Sequence, residues 1–442
     1  MDLTTFHRAQ RDFAQHVTGI SDPCPLPLCD KWPVLPLTQQ QEDILVTTLI
    51  ESGLKAGSVV WLQVGRGGVA IGNRLMDAIV KHDIQLHVQL IDPDFQGWLL
   101  THATEEQAAA YGAAIASKLE NVTRRFSLYP MTEQPPAWPI PPEKARAYQS
   151  TLKALQQKSM AGDIHSTMTM LPTPETAALD GMSFTDYIDL YINMCDQPWT
   201  DISTSHLHLI DVLNKTDDLR ITNTDGTDIR MSLTDHDGRP FTFCNSLTKR
   251  NVPGSEVFSA PRRDSINGRI VAKGLFMAGH KRLGLIRDLT LDFKDGQIVN
   301  FSAAEGEDYF AEFLNRDPSN RYVGELGIGT NPYLKRHVCN GLLVEKIGGS
   351  FHLALGDAYT MTDYLGDPVY VDNGNKTATG DHWDITTMLF GKGGVMTADG
   401  QDIMRDGIFL APELDVLNRG WAALPSGRIP DRWKNKEQMF VY

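Results

Sequence analysis

Four short segments in the second half of this 442-residue sequence set acidic residues and histidines into otherwise apolar or glycine-rich chain. They are NVPGSEVFSAP (251–261), RYVGELGIGTNP (321–332), FHLALGDAY (351–359) and GDHWDIT (380–386). In an extended strand, residues two apart face the same side, so His382 and Asp384 point together while Trp383 points away. Glu325 lies among Tyr322, Val323, Leu326 and Ile328, which suggests burial. A buried carboxylate needs a cation or a proton to offset its desolvation. His352 sits in an alternating run whose odd positions are apolar, so it occupies the opposite face. Glu256, between Ser255 and Val257, reads by itself as a solvated edge residue. Tyr359 adds a phenol a few residues beyond His352. Taken together, three carboxylates and two imidazoles form a hard to borderline ligand set suited to Zn²⁺, Mn²⁺ or Co²⁺, enough for two ions if one carboxylate bridges. Paired ions about 3.5 to 4 Å apart acidify a shared water and polarise a carbonyl, which is what amide hydrolysis requires.

These residues need strands to present them, and the sequence supplies two textures. In the first half SVVWLQV (58–64) is a continuous apolar run, AIGNRLMDAIVKH (70–82) is amphipathic at helical spacing and IQLHVQLID (84–92) is a second strand, which makes a βαβ unit. The intervening GRGGVAIG lacks both the dinucleotide and the phosphate-loop patterns and reads as a tight turn. A proline-rich stretch at 129–142 marks a loop. EKARAYQSTLKALQQKSMAG then predicts a helix, DIHSTMTML a strand, and MSFTDYIDLYINMCD a helix capped by Ser183. SHLHLIDVLNK continues as helix and sends His206 and His208 to different faces, so they share no metal. From about residue 216, short alternating runs joined by Asp-Gly turns, as in LRITNTDGTDIRMSLT and DFKDGQIVNFS, predict hairpins. The expected architecture is an α/β N-terminal domain of parallel βαβ units over 1–215 and a β-rich α+β domain over 216–442 that carries the metal site.

Composition narrows the partners. A net charge of -14 argues against nucleic acid or an anionic membrane, and leaves small peptides, neutral substrates and metal cations. No stretch approaches the roughly 20 apolar residues of a membrane span, and the opening residues lack the apolar core of a signal peptide, so a cytoplasmic location is expected. The five cysteines (Cys24, Cys29, Cys195, Cys244 and Cys339) are odd in number and without CxxC spacing, which indicates reduced thiols.

The order of these motifs resembles the aminopeptidase T metallopeptidases, and the likeness extends over most of the chain. It runs through ARAYQSTLKALQQ, the Pro-Thr-Pro and Gly-Met-Ser segments, LRITNTDGTDIRMSL, SEVF, YVGE, HLALGDAY and HWD. The resemblance implies a two-domain, homodimeric enzyme that removes N-terminal residues from small peptides at a dinuclear centre without strict metal preference. It places metal ligands at Glu256, Glu325, His352, His382 and Asp384, with Tyr359 as the active-site tyrosine and Glu256, Glu325 and Tyr359 in the catalytic set. Ser255-Glu256 stands where family members often carry a Glu-Glu pair. GELGIGTNPYLKRHVCNGLL also resembles the related 2,5-dihydroxypyridine dioxygenases, for which one Fe²⁺ held by His352, His382 and Asp384 would be the alternative. A non-catalytic binding protein is a third function, disfavoured because every expected ligand position carries a competent side chain. Arg262, Arg263 and His337 are candidates for a substrate carboxylate, with solvated surface charge as the plainer alternative.

Overall fold

The computed structural model describes residues 35–82, 84–91, 93–130, 138–160, 163–277 and 284–434. Cys24, Cys29, the opening residues and residues 131–137 of the proline-rich stretch lie outside them. In the first half, strands β1 (Val59–Gly65), β2 (Gln85–Ile91), β3 (Arg124–Pro130) and β4 (His165–Leu171) form a parallel sheet in the order β2-β1-β3-β4. Val60, Leu62 and Val64 of β1 meet Ile71, Leu75 and Ile79 of the helix Val69–Lys81 in one apolar core, as their period-2 and period-4 spacings require. Ser183 caps the helix Phe184–Cys195 by accepting from the Asp186 amide at 3.1 Å.

The second half is antiparallel. Its strands are β5 (Asp218–Thr222), β6 (Asp228–Ser232), β7 (Cys244–Ser246), β8 (Glu256–Ser259), β9 (Asn267–Met277), β10 (Leu285–Lys294), β11 (Gln297–Glu305), β12 (Val323–Gly329), β13 (Ser350–Gly356), β14 (Asp363–Tyr364), β15 (Asp367–Pro368), β16 (His382–Met388), β17 (Val395–Ala398), β18 (Gln401–Arg405) and β19 (Ile408–Phe409). One sheet runs β11-β10-β9-β6-β5-β17-β18-β19 and a second runs β16-β13-β12-β8-β7, with β14 and β15 paired apart. Both predicted hairpins form, β5 with β6 and β10 with β11. In the latter, Asp295 and Gly296 take φ of 48° and 79°, the left-handed pair that a two-residue turn demands.

The two large sheets share one core. Leu326 and Ile328 of β12, Phe351, Leu353 and Leu355 of β13, and Ile385 of β16 pack in the same cluster as Ile270 and Ala272 of β9 and Leu289 and Leu291 of β10. One face of the five-stranded sheet is thereby sealed, and alternation turns the intervening side chains to the other face. The halves interlock. Ile202, Leu209 and Leu213 of the helix Trp199–Leu213 belong to the β-rich core, whereas Leu334, Val338, Leu343 and Ile347 belong to the core of the parallel sheet. Residues 250–252 also extend the parallel sheet: the Met168 amide donates to the Arg250 carbonyl at 2.8 Å and the Val252 amide to the Met168 carbonyl at 2.9 Å. That attachment comes four residues before Glu256.

His206 and His208 do face apart, His206 fully buried and His208 exposed. His206 Nδ1 donates to Asn245 Oδ1 at 2.7 Å, and its Nε2 accepts from Thr330 Oγ1 at 2.7 Å. Ser255 and Thr330 hydroxyls meet at 2.8 Å, so the network ties the ends of β8 and β12 together. Burial lowers the His206 pKa to about 4, with the Asn245 contact opposing. The folded state therefore refuses a proton that the unfolded chain accepts below about 6.5, so this stability is complete above that pH and drains as pH falls toward 4. Denaturant unfolding over this range should show a pH slope in the native sequence that is shallower in His206→Gln by up to about 1.4 kcal/mol per pH unit. Equal slopes would show that His206 is not held neutral.

Candidate metal centre

Four adjacent strands bring the five candidate ligands to one face of the second sheet. On β16, His382 and Asp384 point together, while Trp383 turns into the core against Phe310 and Phe313, at ring separations of 5.7 and 5.2 Å. On β13, His352 lies on the face opposite Phe351 and Leu353. β12 would put Val323 and Glu325 on the same face. A register shift between them, at Gly324, instead sends Val323 into the core and Glu325 to the site. β8 delivers Glu256, paired with Gly329 of β12.

Gly327 makes the crossing possible. It is paired with His352, and a Cβ at this position would stand 2.1 Å from the imidazole, so only glycine leaves the ring room to lie across β12. His352 Nε2 thus comes within 3.7 Å of Glu256 Oε2, 3.5 Å of Glu325 Oε1 and 3.9 Å of Asp384 Oδ1. His382 Nε2 lies 3.1 Å from Glu325 Oε2 and 3.7 Å from Asp384 Oδ1. Its Nδ1 donates to the Asp357 carbonyl at 2.8 Å, which leaves the Nε2 lone pair for the cluster. Glu256, Glu325 and His352 are buried, whereas the side chains of His382 and Asp384 are 18% and 13% exposed, so the site opens on their side. Tyr359 stands at that mouth, 42% exposed, with its ring 5.2 Å from His382 and 5.4 Å from Phe258.

The donor set fits a divalent cation. Glu325, His352 and Asp384 each offer an atom within 4.8 Å of the others. Glu256 Oε2 and both ring nitrogens of His352 are buried without a hydrogen-bond partner among the described residues, a costly state unless something positive is shared between them. The electrostatics agree. Burial alone would push both imidazoles down, yet Glu325, Asp384 and Glu256 raise His352 to about 9, and Asp384 and Glu325 raise His382 to about 10. Burial pushes the Glu325 carboxyl up, but the two imidazoles pull it well below the usual range. The charge of Glu325 lifts the Tyr359 phenol well above its ordinary value; with the ring this exposed, we assign that shift to the carboxylates and not to burial. These carboxylates call for positive charge, which protons or a divalent ion supply.

Two residues of the cluster carry no mark in the sequence. Lys346 is fully buried, its Nζ 2.5 Å from Glu256 Oε1 and 2.8 Å from Glu345 Oε2. Burial raises the Glu345 carboxyl well above its usual range; Lys346 opposes this, while Asp384 and Glu256 add to it. Buried Asn375 is a third contributor. It accepts from Arg263 and donates to the Gly356 carbonyl at 2.6 Å, holding the loop from which Asp357 and Tyr359 project. Arg262, Arg263 and His337 are engaged elsewhere. Arg262 lies 3.5 Å from Asp264, Arg263 stacks 3.7 Å over Tyr322, and His337 packs edge-on against Phe276 at 4.7 Å, its pKa lowered by burial to about 4. Solvated surface charge is therefore the wrong description of His337.

A carboxylate–imidazole centre on a β sheet, joined to a parallel α/β half, defines a class of metalloprotein. The profile of the thermophilic metalloprotease (M29) family matches residues 45–409, and the chain belongs to that family. A divalent metal cofactor follows from that membership. Aminopeptidase AmpS of Bacillus subtilis is 33% identical over 116 residues, which is 25% of this chain and 27% of that protein. Aminopeptidase T of Thermus aquaticus is 28% identical over 141 residues, 30% of this chain and 34% of that protein. The matched stretches thus span about a quarter to a third of these relatives' length. In fold, the chain is similar to AmpT from Thermus thermophilus, with a TM-score of 0.65 at 19% identity over 85% of this chain and all of that one. It is also similar to 2,5-dihydroxypyridine dioxygenase from Pseudomonas putida KT2440, with a TM-score of 0.52 at 15% identity over 86% and 99% of the two chains.

Gly327→Ala tests the geometry directly. The added methyl should displace the His352 ring and weaken Zn²⁺ binding by about tenfold or more in calorimetric titration of chelator-treated protein. Unchanged affinity would show that His352 takes no part in holding the ion.

Proposed function

We propose that this protein is a metal-dependent aminopeptidase that removes N-terminal residues from small peptides at a two-ion centre held by Glu256, Glu325, His352, His382 and Asp384. The observation that carries this reading is the convergence of these side chains, with Glu256 Oε2 and both His352 ring nitrogens buried and without a hydrogen-bond partner among the described residues, in a chain of this family. Glu325 turns one oxygen toward each imidazole, the disposition of a carboxylate that two ions can share. Bound Zn²⁺, Co²⁺ or Mn²⁺ would acidify a water and polarise the scissile carbonyl.

The chain's own groups supply the rest. Burial raises the Glu345 carboxyl well above its usual range while Lys346 opposes this, which suits the carboxylate to take up a proton from the attacking water and deliver it to the departing amine. Tyr359, whose phenol the charge of Glu325 keeps protonated, stands at the mouth as a group suited to donate a hydrogen bond to the developing oxyanion. The same carboxylates that raise the imidazoles also attract the free ammonium of a peptide's N-terminus. Homodimerisation and a cytoplasmic location belong to the same proposal.

Oxidative ring cleavage by one Fe²⁺ at His352, His382 and Asp384 is the competing function, supported by the likeness in fold to the dioxygenase. It leaves unexplained why Glu325 sits 3.1 Å from His382 and why Glu256 turns a free oxygen toward His352, since that chemistry needs open positions beside three ligands. Reconstitution separates the two. Metal-stripped protein supplied with Zn²⁺, Co²⁺ or Mn²⁺ should cleave leucine p-nitroanilide without oxygen, and Glu325→Gln should reduce turnover by about 10³-fold or more. Tyr359→Phe should lower kcat by about 10² while leaving bound metal unchanged. Oxygen uptake with a dihydroxypyridine, seen with Fe²⁺ alone, would overturn the hydrolase.

A further inference from the structure

Lys346 stands inside the cluster as a cation that the chain itself provides. It sits in the 3₁₀ turn Val344–Lys346, whose backbone is pinned from both sides. The Lys346 amide donates to the Leu343 carbonyl at 3.0 Å, and its carbonyl accepts from the Asn331 amide at 2.9 Å. The side chain has no exposure, so the ammonium is not free to trade its contacts for water. It bonds Glu256 Oε1 at 2.5 Å and Glu345 Oε2 at 2.8 Å, and Ser246 Oγ donates to the same Glu256 oxygen at 3.1 Å.

The two oxygens of Glu256 are therefore unlike. Oε1 has two donors, whereas Oε2 has none among the described residues and faces His352 Nε2 at 3.7 Å. A carboxylate held in this way offers a divalent ion one oxygen, not two. Glu345 is likewise tied to the ammonium. At the other end, Glu325, His382 and Asp384 have no lysine or arginine bonded to them among the described residues.

We propose that Lys346 is a fixed counterion that splits the centre into unequal halves. The position bounded by Glu325, His382 and Asp384 takes the tightly held ion. The position beside Glu256 and His352 takes a weaker, exchangeable one, because its ion must sit next to an ammonium in a medium that screens poorly. This inference rests on the two-ion reading and goes beyond it by assigning the inequality to one residue.

Zn²⁺ titration of the chelator-treated full chain tests it, with bound metal counted after gel filtration and thermal melting used to confirm that each variant folds. The native protein should bind in two steps separated by about tenfold or more. Lys346→Met should tighten the second step by about tenfold or more and leave the first in place. Glu345→Gln, which leaves the ammonium to Glu256 alone, should weaken the second step. A native protein that holds one ion while Lys346→Met holds two supports the proposal in its strongest form. Equal step separation in all three proteins overturns it, as does loss of the second step in Lys346→Met, which would make the lysine a support for that ion. No Zn²⁺ binding by the native protein would instead overturn the metal-centre reading itself.

Discussion

Negative charge gathered in a buried place is the constraint to which the rest of the molecule answers. Glu256, Glu325, Glu345 and Asp384 converge at one face of a sheet whose other face is sealed, with Lys346 among them. Each buried ion costs on the order of several kcal/mol of lost hydration. Only a matching positive charge recovers that. Protons on His352 and His382 can supply it, and so can divalent ions, which is why both imidazoles rise so far above their ordinary range despite burial. Such a site is unfavourable empty of charge and favourable once filled, and a cofactor-binding centre needs this bias.

Holding like charges this close demands a frame that does not yield. The shared core behind β8, β12, β13 and β16 provides it, because Val257, Leu326, Ile328, Phe351, Leu353 and Ile385 of these strands are locked among apolar neighbours. Two local irregularities then shape the site. The shift at Gly324 re-aims Glu325, and the missing side chain at Gly327 opens the lane through which His352 reaches across. The parallel half contributes at a distance. It anchors residues 250–252 and packs Leu343 and Ile347 around the turn that carries Lys346, so the counterion and Glu256 are both moored to it.

Some of this was legible in the primary structure. The i, i+2 spacing of His382 and Asp384 in an extended run settles their common face, and the apolar neighbours of Glu325 announce its burial. The hairpin at Asp295-Gly296 and the cap at Ser183 follow from residue types with strong local preferences. Glu256 was different. Its neighbours suit an edge strand equally well, and only the resemblance singled it out. Glu345-Lys346 carries no signal of its role, since no local pattern distinguishes a solvated lysine from one buried 90 positions away from its partner. His337 misled for the same reason, because its partial burial is created by Phe276 and Gly274, distant in the chain.

What the sequence by itself determined is periodic and local: a parallel α/β half followed by an antiparallel one, the elements that carry the candidate ligands, and which of those ligands share a strand face. These follow from spacing along one chain. The tertiary structure decided the separations across strands, the two unlike oxygens of Glu256 and the presence of an ammonium within the cluster. Those quantities depend on register, a bulge and the absence of one Cβ. They arise where distant segments meet, and no interaction between near neighbours encodes them.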